Sequence, residues 1–349
     1  MMEIPTPAQQ LSFLDHVQRL FDEGEFSATY KFALLQSITE LAVEHGEDSG
    51  ESLELSFELI ADKFLEIYWP QVAPYTRDGL AAVLIQNSGR QAATITLLQE
   101  LRSRDGTLPK ARASADWAKA LRKTVALLKE MPLWRLQILR REQVRFLYEP
   151  ASEAAIRLLP GVMFNLRRFH GLLHQLSRHA WIQHLHANPL NAAVLGTGSD
   201  LEQLLFGADR ANLSAVRPVL NTIQKGQCFY CQQSLQENGE VDHFIPWSRY
   251  PRNLGENFVL AHRRCNGDKR DLLPAAIHLA KWQERNRTHG AYLSEHLGAG
   301  FVCDEPAMRR IAYWAYHHAY ATSSQCWSGV GQTGPLSSDY QHLLAGQVY

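Results

Sequence analysis

One stretch restricts this chain more than any other: Cys228 to Arg270, CFYCQQSLQENGEVDHFIPWSRYPRNLGENFVLAHRRCNGDKR. It holds a Cys-x-x-Cys pair, Cys228 and Cys231, and about thirty residues later a His-x-x-Cys pair, His262 and Cys265. Two ligands on one tight knuckle and two on another meet around a single tetrahedral zinc ion without stretching the backbone, and four such ligands leave no open position. The expected metal is therefore structural Zn²⁺. A redox Cys-x-x-Cys would need a βαβ setting that the flanking sequence lacks.

A second set of residues is interleaved with the first. Val241 to Pro246 reads as a short apolar strand ended by Pro246, and it presents Asp242 and His243 side by side. Neighbours on a strand point to opposite faces, so the two divide the work. The carboxylate is a hard ligand for a divalent cation, and the neutral imidazole is free to take a proton from water. Asn257 precedes Phe258-Val259-Leu260, a second apolar run that can pair with the first as a hairpin, and its amide can fix the intervening loop. Asn266 falls at the start of an expected helix, with a carbonyl oxygen to complete the cation site.

Cys-x-x-Cys, Asp-His-x-x-Pro, a middle Asn and Cys-Asn-x-x-Lys together resemble the HNH endonucleases, the ββα-metal or His-Me finger group. The resemblance implies that Asp242 and Asn266 bind one Mg²⁺ or Mn²⁺ and that His243 activates the attacking water. Asn257 would hold the His243 loop, and Lys269, with Arg270 and Arg249, would face the nucleic-acid backbone. Asn266 stands where the family name has its second His, a variant also present in the HNH domains of RNA-guided nucleases. His262 replaces the more usual Cys in the zinc knuckle and keeps the ligand count at four.

Charge divides the rest of the chain. Residues 1–99 carry 5 Lys and Arg against 15 Asp and Glu, residues 100–185 carry 16 against 7, and residues 225–290 carry 10 against 7. An acidic head and a basic middle thus hide within a formal net charge of -1. The basic middle, with Arg167, Arg168 and Arg178 on one long helix, is a candidate DNA-binding surface, and the acidic head is a solvated face or a partner-binding one. His170 and His174 lie one turn apart on that helix with no carboxylate in a zincin-like position between them, so no metal is expected there.

Helical periodicity dominates outside the motif. Helices are expected from Pro7, over Ser27–Glu44 and Leu53–Tyr68, in two stretches between Asp78 and Arg102, and over Trp117–Met131 and Met163–His186. Phe57, Phe64, Tyr68 and Trp69 recur at helical spacing and read as core. A linker with a cap at Ser199 is expected at 196–200. Beyond the motif, a helix from Leu272 to about Arg287 would extend a nucleic-acid surface with Lys281, Arg285 and Arg287. A further helix, Pro306–Tyr320, would pack back on the helical domain, and the Ser/Gly-rich segment 323–334 would be loosely ordered. Cys303 and Cys326 read as free thiols.

The expected architecture is mainly α: a helical domain at 1–211 that binds DNA, a protein partner or a signal, an HNH module at 212–290, and C-terminal helices at 291–349. No apolar run approaches the roughly 18 residues of a membrane span, and the N-terminal residues lack the basic-then-apolar order of a secretory signal, so a cytoplasmic setting is expected. The family resemblance implies hydrolysis of DNA, taken as double-stranded, in bacterial restriction or anti-phage defence. The motif leaves RNA open as substrate, leaves room for a zinc-dependent nucleic-acid-binding module without catalysis, and is compatible with a homo-oligomer.

Overall fold

A computed structural model of the chain describes residues 3–77, 80–89, 91–195, 201–206, 213–235 and 239–345. The linker and cap at 196–200 and the expected boundary at 211/212 lie outside the described residues. The chain divides into two compact units, Met1–Gly207 and Ala208–Tyr349.

The first unit is mainly helical, and side-chain caps fix the starts of two of its helices. Helix α1 (Pro7–Glu23) starts on a capping box, Thr6 with Gln9, has Pro7 at its first position and ends at Gly24. Helix α2 (Tyr30–His45) departs from the amphipathic expectation: it is enclosed on every side, its polar residues included. Those polar residues are matched rather than solvated. Glu44 pairs with Lys63 of α3 (Phe57–Gln71) at 2.6 Å, and Glu40 lies 3.6 Å from His174. Arg167 is 2% exposed and donates to the carbonyls of Ala42, Val43 and Gly46 while pairing with Asp48. It satisfies the open carbonyl end of α2 and is not a surface cation for nucleic acid. Phe57, Phe64, Tyr68 and Trp69 are core, as expected.

Several elements differ from the sequence reading. Residues Glu54–Ser56 form a strand, β1, before Ser56 caps α3 through Leu59 N. Strand β2 (Tyr75–Arg77) pairs antiparallel with β3 (Leu80–Ala82) where the first of two helices was expected; the second is α4 (Ala93–Asp105). After α5 (Ala115–Glu130), strands β4 (Tyr148–Ser152) and β5 (Ala155–Leu158) add to β1 as an antiparallel sheet in the order β1-β5-β4. The long basic helix is two, α6 (Val162–Arg168) and α7 (His170–Ala187), broken at Phe169.

The second unit holds helix α8 (Val216–Ile223), the Cys228–Cys231 knuckle, and then a ββα run: β6 (Gly239–His243), β7 (Phe258–His262) and α9 (Arg263–Lys269). Strand β8 (Leu273–Pro274), helix α10 (Ala276–Leu297) and helix α11 (Glu305–Ala321) follow. The segment expected to be loose is a hairpin, β9 (Gln325–Gly329) with β10 (Gln332–Pro335), and β8 extends it in parallel. Its order comes from Trp327, which is buried and donates through Nε1 to Asp268 of α9 at 2.8 Å. The C-terminal helices, expected to pack on the helical domain, are grouped with the module: Tyr316 Oη donates to Pro274 O at 2.6 Å, and the Trp314 ring lies 6.1 Å from Tyr250. Cys303 and Cys326 are free thiols.

Candidate active site and metal cluster

The knuckle closes because Gln232 adopts a left-handed conformation, φ 61°, which turns the chain back so that Gln232 N donates to Cys228 O and Cys228 N to Gln233 O. Phe229 N donates to Leu260 O at 2.9 Å, and the Gln224 side chain bonds both backbone groups of Leu260, so the knuckle is tied to β7. His262 ends β7 and Cys265 lies in the first turn of α9. The ligating atoms of Cys228, Cys231, His262 and Cys265 all lie within 4.8 Å of one another.

His262 is set for ligation by its second nitrogen. Nε2 faces Ser234 O at 3.0 Å, and a carbonyl only accepts, so Nε2 carries the proton and Nδ1 turns its lone pair to the sulfurs, 3.3 Å from Cys231 Sγ. Burial and the neighbouring Cys228 and Cys231 push the Cys265 thiol up to about 12. Three sulfurs this close coexist as thiolates only around a cation. The Cys₃His donor set, with one ligand's second nitrogen already anchored, fits structural Zn²⁺.

Strands β6 and β7 pair antiparallel with Asp242 opposite Val259 and His243 opposite Phe258. Asn257 clamps the turn after His243 from both sides. Its Oδ1 accepts from Ile245 N at 2.7 Å, its Nδ2 donates to Ile245 O at 2.9 Å, and its own carbonyl accepts from Phe244 N at 2.8 Å. Helix α10 holds the carbonyl of the preceding Glu256 through Trp282 Nε1, the Arg285 guanidinium and Asn286 Nδ2. Arg285, expected on a nucleic-acid surface, is buried because it also bonds Phe258 O. Arg287 is exposed and paired with Glu284.

His243 is 8% exposed and packed against Phe258 and Trp247. Its Nε2 meets Asn253 Oδ1 at 2.8 Å, which places the proton on Nε2 and the lone pair on Nδ1. Burial lowers its pKa below the usual histidine value, against the opposing pull of Asn253 and Asp242.

Asp242 has two buried partners. Tyr230 Oη donates to Oδ2 at 2.6 Å, and Lys269 Nζ lies 3.1 Å from Oδ2 and 3.3 Å from Oδ1. Lys269, expected at the nucleic-acid backbone, is 0% exposed and also donates to His243 O. It lies in the last turn of α9, which packs back on the strand, and an ammonium buried there needs a counter-charge. Asn266 Nδ2 donates to Glu240 Oε2 at 3.1 Å. Glu240 and Asp242 are two residues apart on β6 and share a face, so Asn266 is brought to the face that carries Asp242 with its amide oxygen left as an acceptor. Hard oxygens from Asp242 and Asn266 fit a divalent cation by donor type.

Of the expected substrate contacts other than Lys269, Arg270 is exposed just past α9, at φ 49°. Arg249 is half-buried near Tyr316 and Asp271, and burial lowers its pKa. The sequence reading missed Tyr230, Asn253 and Glu240. Strand period gives Glu240 from Asp242, and the Cys-Phe-Tyr-Cys spacing marks Tyr230 as knuckle-borne, but nothing in the sequence marks Asn253.

No curated protein and no solved structure matches this chain. Two family profiles do. Residues 228–275 match the HNH endonuclease family, and residues 10–191 match the family described as Domain of unknown function (DUF8808). Among the described residues no helix is long and apolar enough to cross a membrane. With more than half its length inside the second match and the metal cluster inside the first, the chain belongs to the DUF8808 family and carries an HNH endonuclease module behind that domain.

Proposed function

We propose that the module is a metal-dependent endonuclease that hydrolyses DNA phosphodiester bonds, with His243 as general base. One observation carries the reading: a desolvated imidazole whose Nε2 is fixed by Asn253 keeps Nδ1 unprotonated at neutral pH beside the Asp242 carboxylate. Asp242 and Asn266 would hold one Mg²⁺ or Mn²⁺, which supplies charge neutralisation at the phosphoryl and leaving oxygens. His243 takes the proton from the attacking water. Asn257 keeps the His243 turn in register, and Arg270, with Arg249, faces the phosphates. Zn²⁺ at Cys228, Cys231, His262 and Cys265 is structural. Residues 1–211 supply recognition of DNA, a partner or a signal, and residues 212–349 form the cutting half, in a cytoplasmic restriction or anti-phage role.

A second reading rests on Lys269. An ammonium already paired with Asp242 favours a zinc-dependent nucleic-acid-binding module that has no use for a second metal. One experiment separates the two. The full chain and its His243→Ala variant are incubated with supercoiled plasmid, and separately with structured RNA, in Mg²⁺, Mn²⁺ or EDTA. The proposal expects metal-dependent nicking of plasmid, reduced about 10²- to 10⁴-fold in the variant. Equal cutting by both proteins sinks the base assignment, cutting of RNA alone changes the substrate, and retention of DNA in a gel shift without cutting establishes the second reading.

A further inference from the structure

Helix α2 begins without a side-chain cap. Thr29, at the cap position, turns its hydroxyl instead to Tyr68 Oη and Gln86 Oε1. The first turn of this sixteen-residue helix therefore takes no side-chain cap, and the positive end of the helix dipole lies behind it. A cavity of about 250 Å³ opens against that turn. One wall is the loop at 87–89, held beside residues 27–29 by Thr29 N to Gln86 O and Ser88 N to Ser27 O.

The second observation is Lys31, which lines this cavity and is 8% exposed. Among the described residues its ammonium pairs with no carboxylate, and its one close partner is the Phe26 ring, 5.3 Å away. Every other lysine buried to this degree has an acid: Lys63 has Glu44 and Glu66, and Lys269 has Asp242. Arg135 lines the same cavity and is exposed. Burial, with Arg135 adding to it and Glu25 opposing, lowers the Lys31 pKa to about 8. A lysine whose stem is packed into the cavity wall, with its ammonium facing a second cation and a helix N-terminus, is an arrangement that an anion completes.

We propose that this cavity binds a small phosphomonoester, with Lys31 and Arg135 on the phosphate at the first turn of α2 and Leu127, Met131 and Pro132 against the body of the molecule. Two cations and a helix end match a dianion better than a monoanion, and the Arg135 fork suits paired phosphate oxygens. The apolar wall and the volume leave room for more than the phosphate itself.

The test is thermal unfolding of the full chain in millimolar inorganic phosphate, 5′-AMP or adenosine, each at the ionic strength of a chloride control. A terminal phosphate on nucleic acid offers the same chemistry, so 5′-phosphorylated and 5′-hydroxyl dinucleotides form a second pair of arms. Phosphate and AMP are expected to raise Tm by about 2–4 °C, and adenosine to leave it unchanged. Lys31→Met keeps the buried stem and removes an unpaired charge, so it folds at least as well and loses the response. Arg135→Gln, at an exposed position, weakens the response several-fold. A larger gain from the phosphorylated dinucleotide than from AMP assigns the pocket to a nucleic-acid end. No rise with either phosphate or AMP, or the same rise in Lys31→Met, overturns the proposal.

Discussion

Two polar clusters of the second unit are built on opposite electrostatic plans. In the Cys228, Cys231, His262, Cys265 cluster, four donors converge, and burial with the neighbouring sulfurs raises the pKa of the Cys265 thiol. Around Asp242 the counter-charge is already present as Lys269, and Tyr230 takes a further lone pair. Donors that repel until an ion enters make the fold depend on that ion. Donors that are already neutralised leave the fold standing without it, which suits a cation that exchanges with solvent and substrate.

The largest effect is expected at the first cluster. Cys231→Ala removes one of four ligands and with it most of a binding free energy of about 10–16 kcal/mol that is also folding free energy. The variant is expected to retain far less than one zinc per chain and to lose the thermal transition of the second unit. Unchanged zinc content and melting would mean that the knuckle folds on its hydrogen bonds alone, and the contrast between the clusters would collapse.

A smaller effect, of distinct sign in metal, is expected at the second. Lys269→Met deletes the partner of a buried carboxylate, a loss of about 3–5 kcal/mol. Melting in EDTA should fall accordingly, and Mn²⁺ should restore part of the loss by taking over the charge of Asp242. A variant whose stability ignores Mn²⁺ would show that no divalent ion reaches Asp242, and the non-catalytic reading would gain.

The clusters also differ in how far the sequence shows them. The zinc ligands and Asn257 are legible because each acts through its own donor atoms at a spacing the backbone must satisfy. The partners of Asp242 are not, because a lysine in a sequence carries its charge but not its face. Lys269, Arg285 and Arg167 all read as surface cations, and each turns inward to a carboxylate or to open carbonyls. The acidic residues of α2 mislead in the same way: Glu40 and Glu44 read as a solvated face and are enclosed. The hairpin at 325–335 was hidden in a Ser/Gly-rich composition because its order comes from distant contacts: Trp327 Nε1 and Gly331 N to Asp268, and Ser328 O to His278. Helix positions are local and were legible, except where strands β1, β2 and β3 stand in place of expected helix because they pair with other strands, and at Phe169, where one expected helix is two.

Tyr230 joins the two plans and gives the finest test. It sits between Cys228 and Cys231, its ring is wedged edge-on against Trp327 and His278, and its hydroxyl reaches Asp242. Burial raises its pKa well above 10, so it stays a donor throughout the working range. Tyr230→Phe should leave zinc content unchanged and lower stability by about 1.5–3 kcal/mol, the worth of one buried hydrogen bond to a charged group. If the knuckle also aims the carboxylate, the Mn²⁺ concentration for half-maximal nicking should rise about 10-fold or more, as for other residues that orient a metal ligand. A stability change without that shift would leave Lys269 alone to set the geometry of Asp242. The zinc knuckle would then support the nuclease fold without reaching its chemistry.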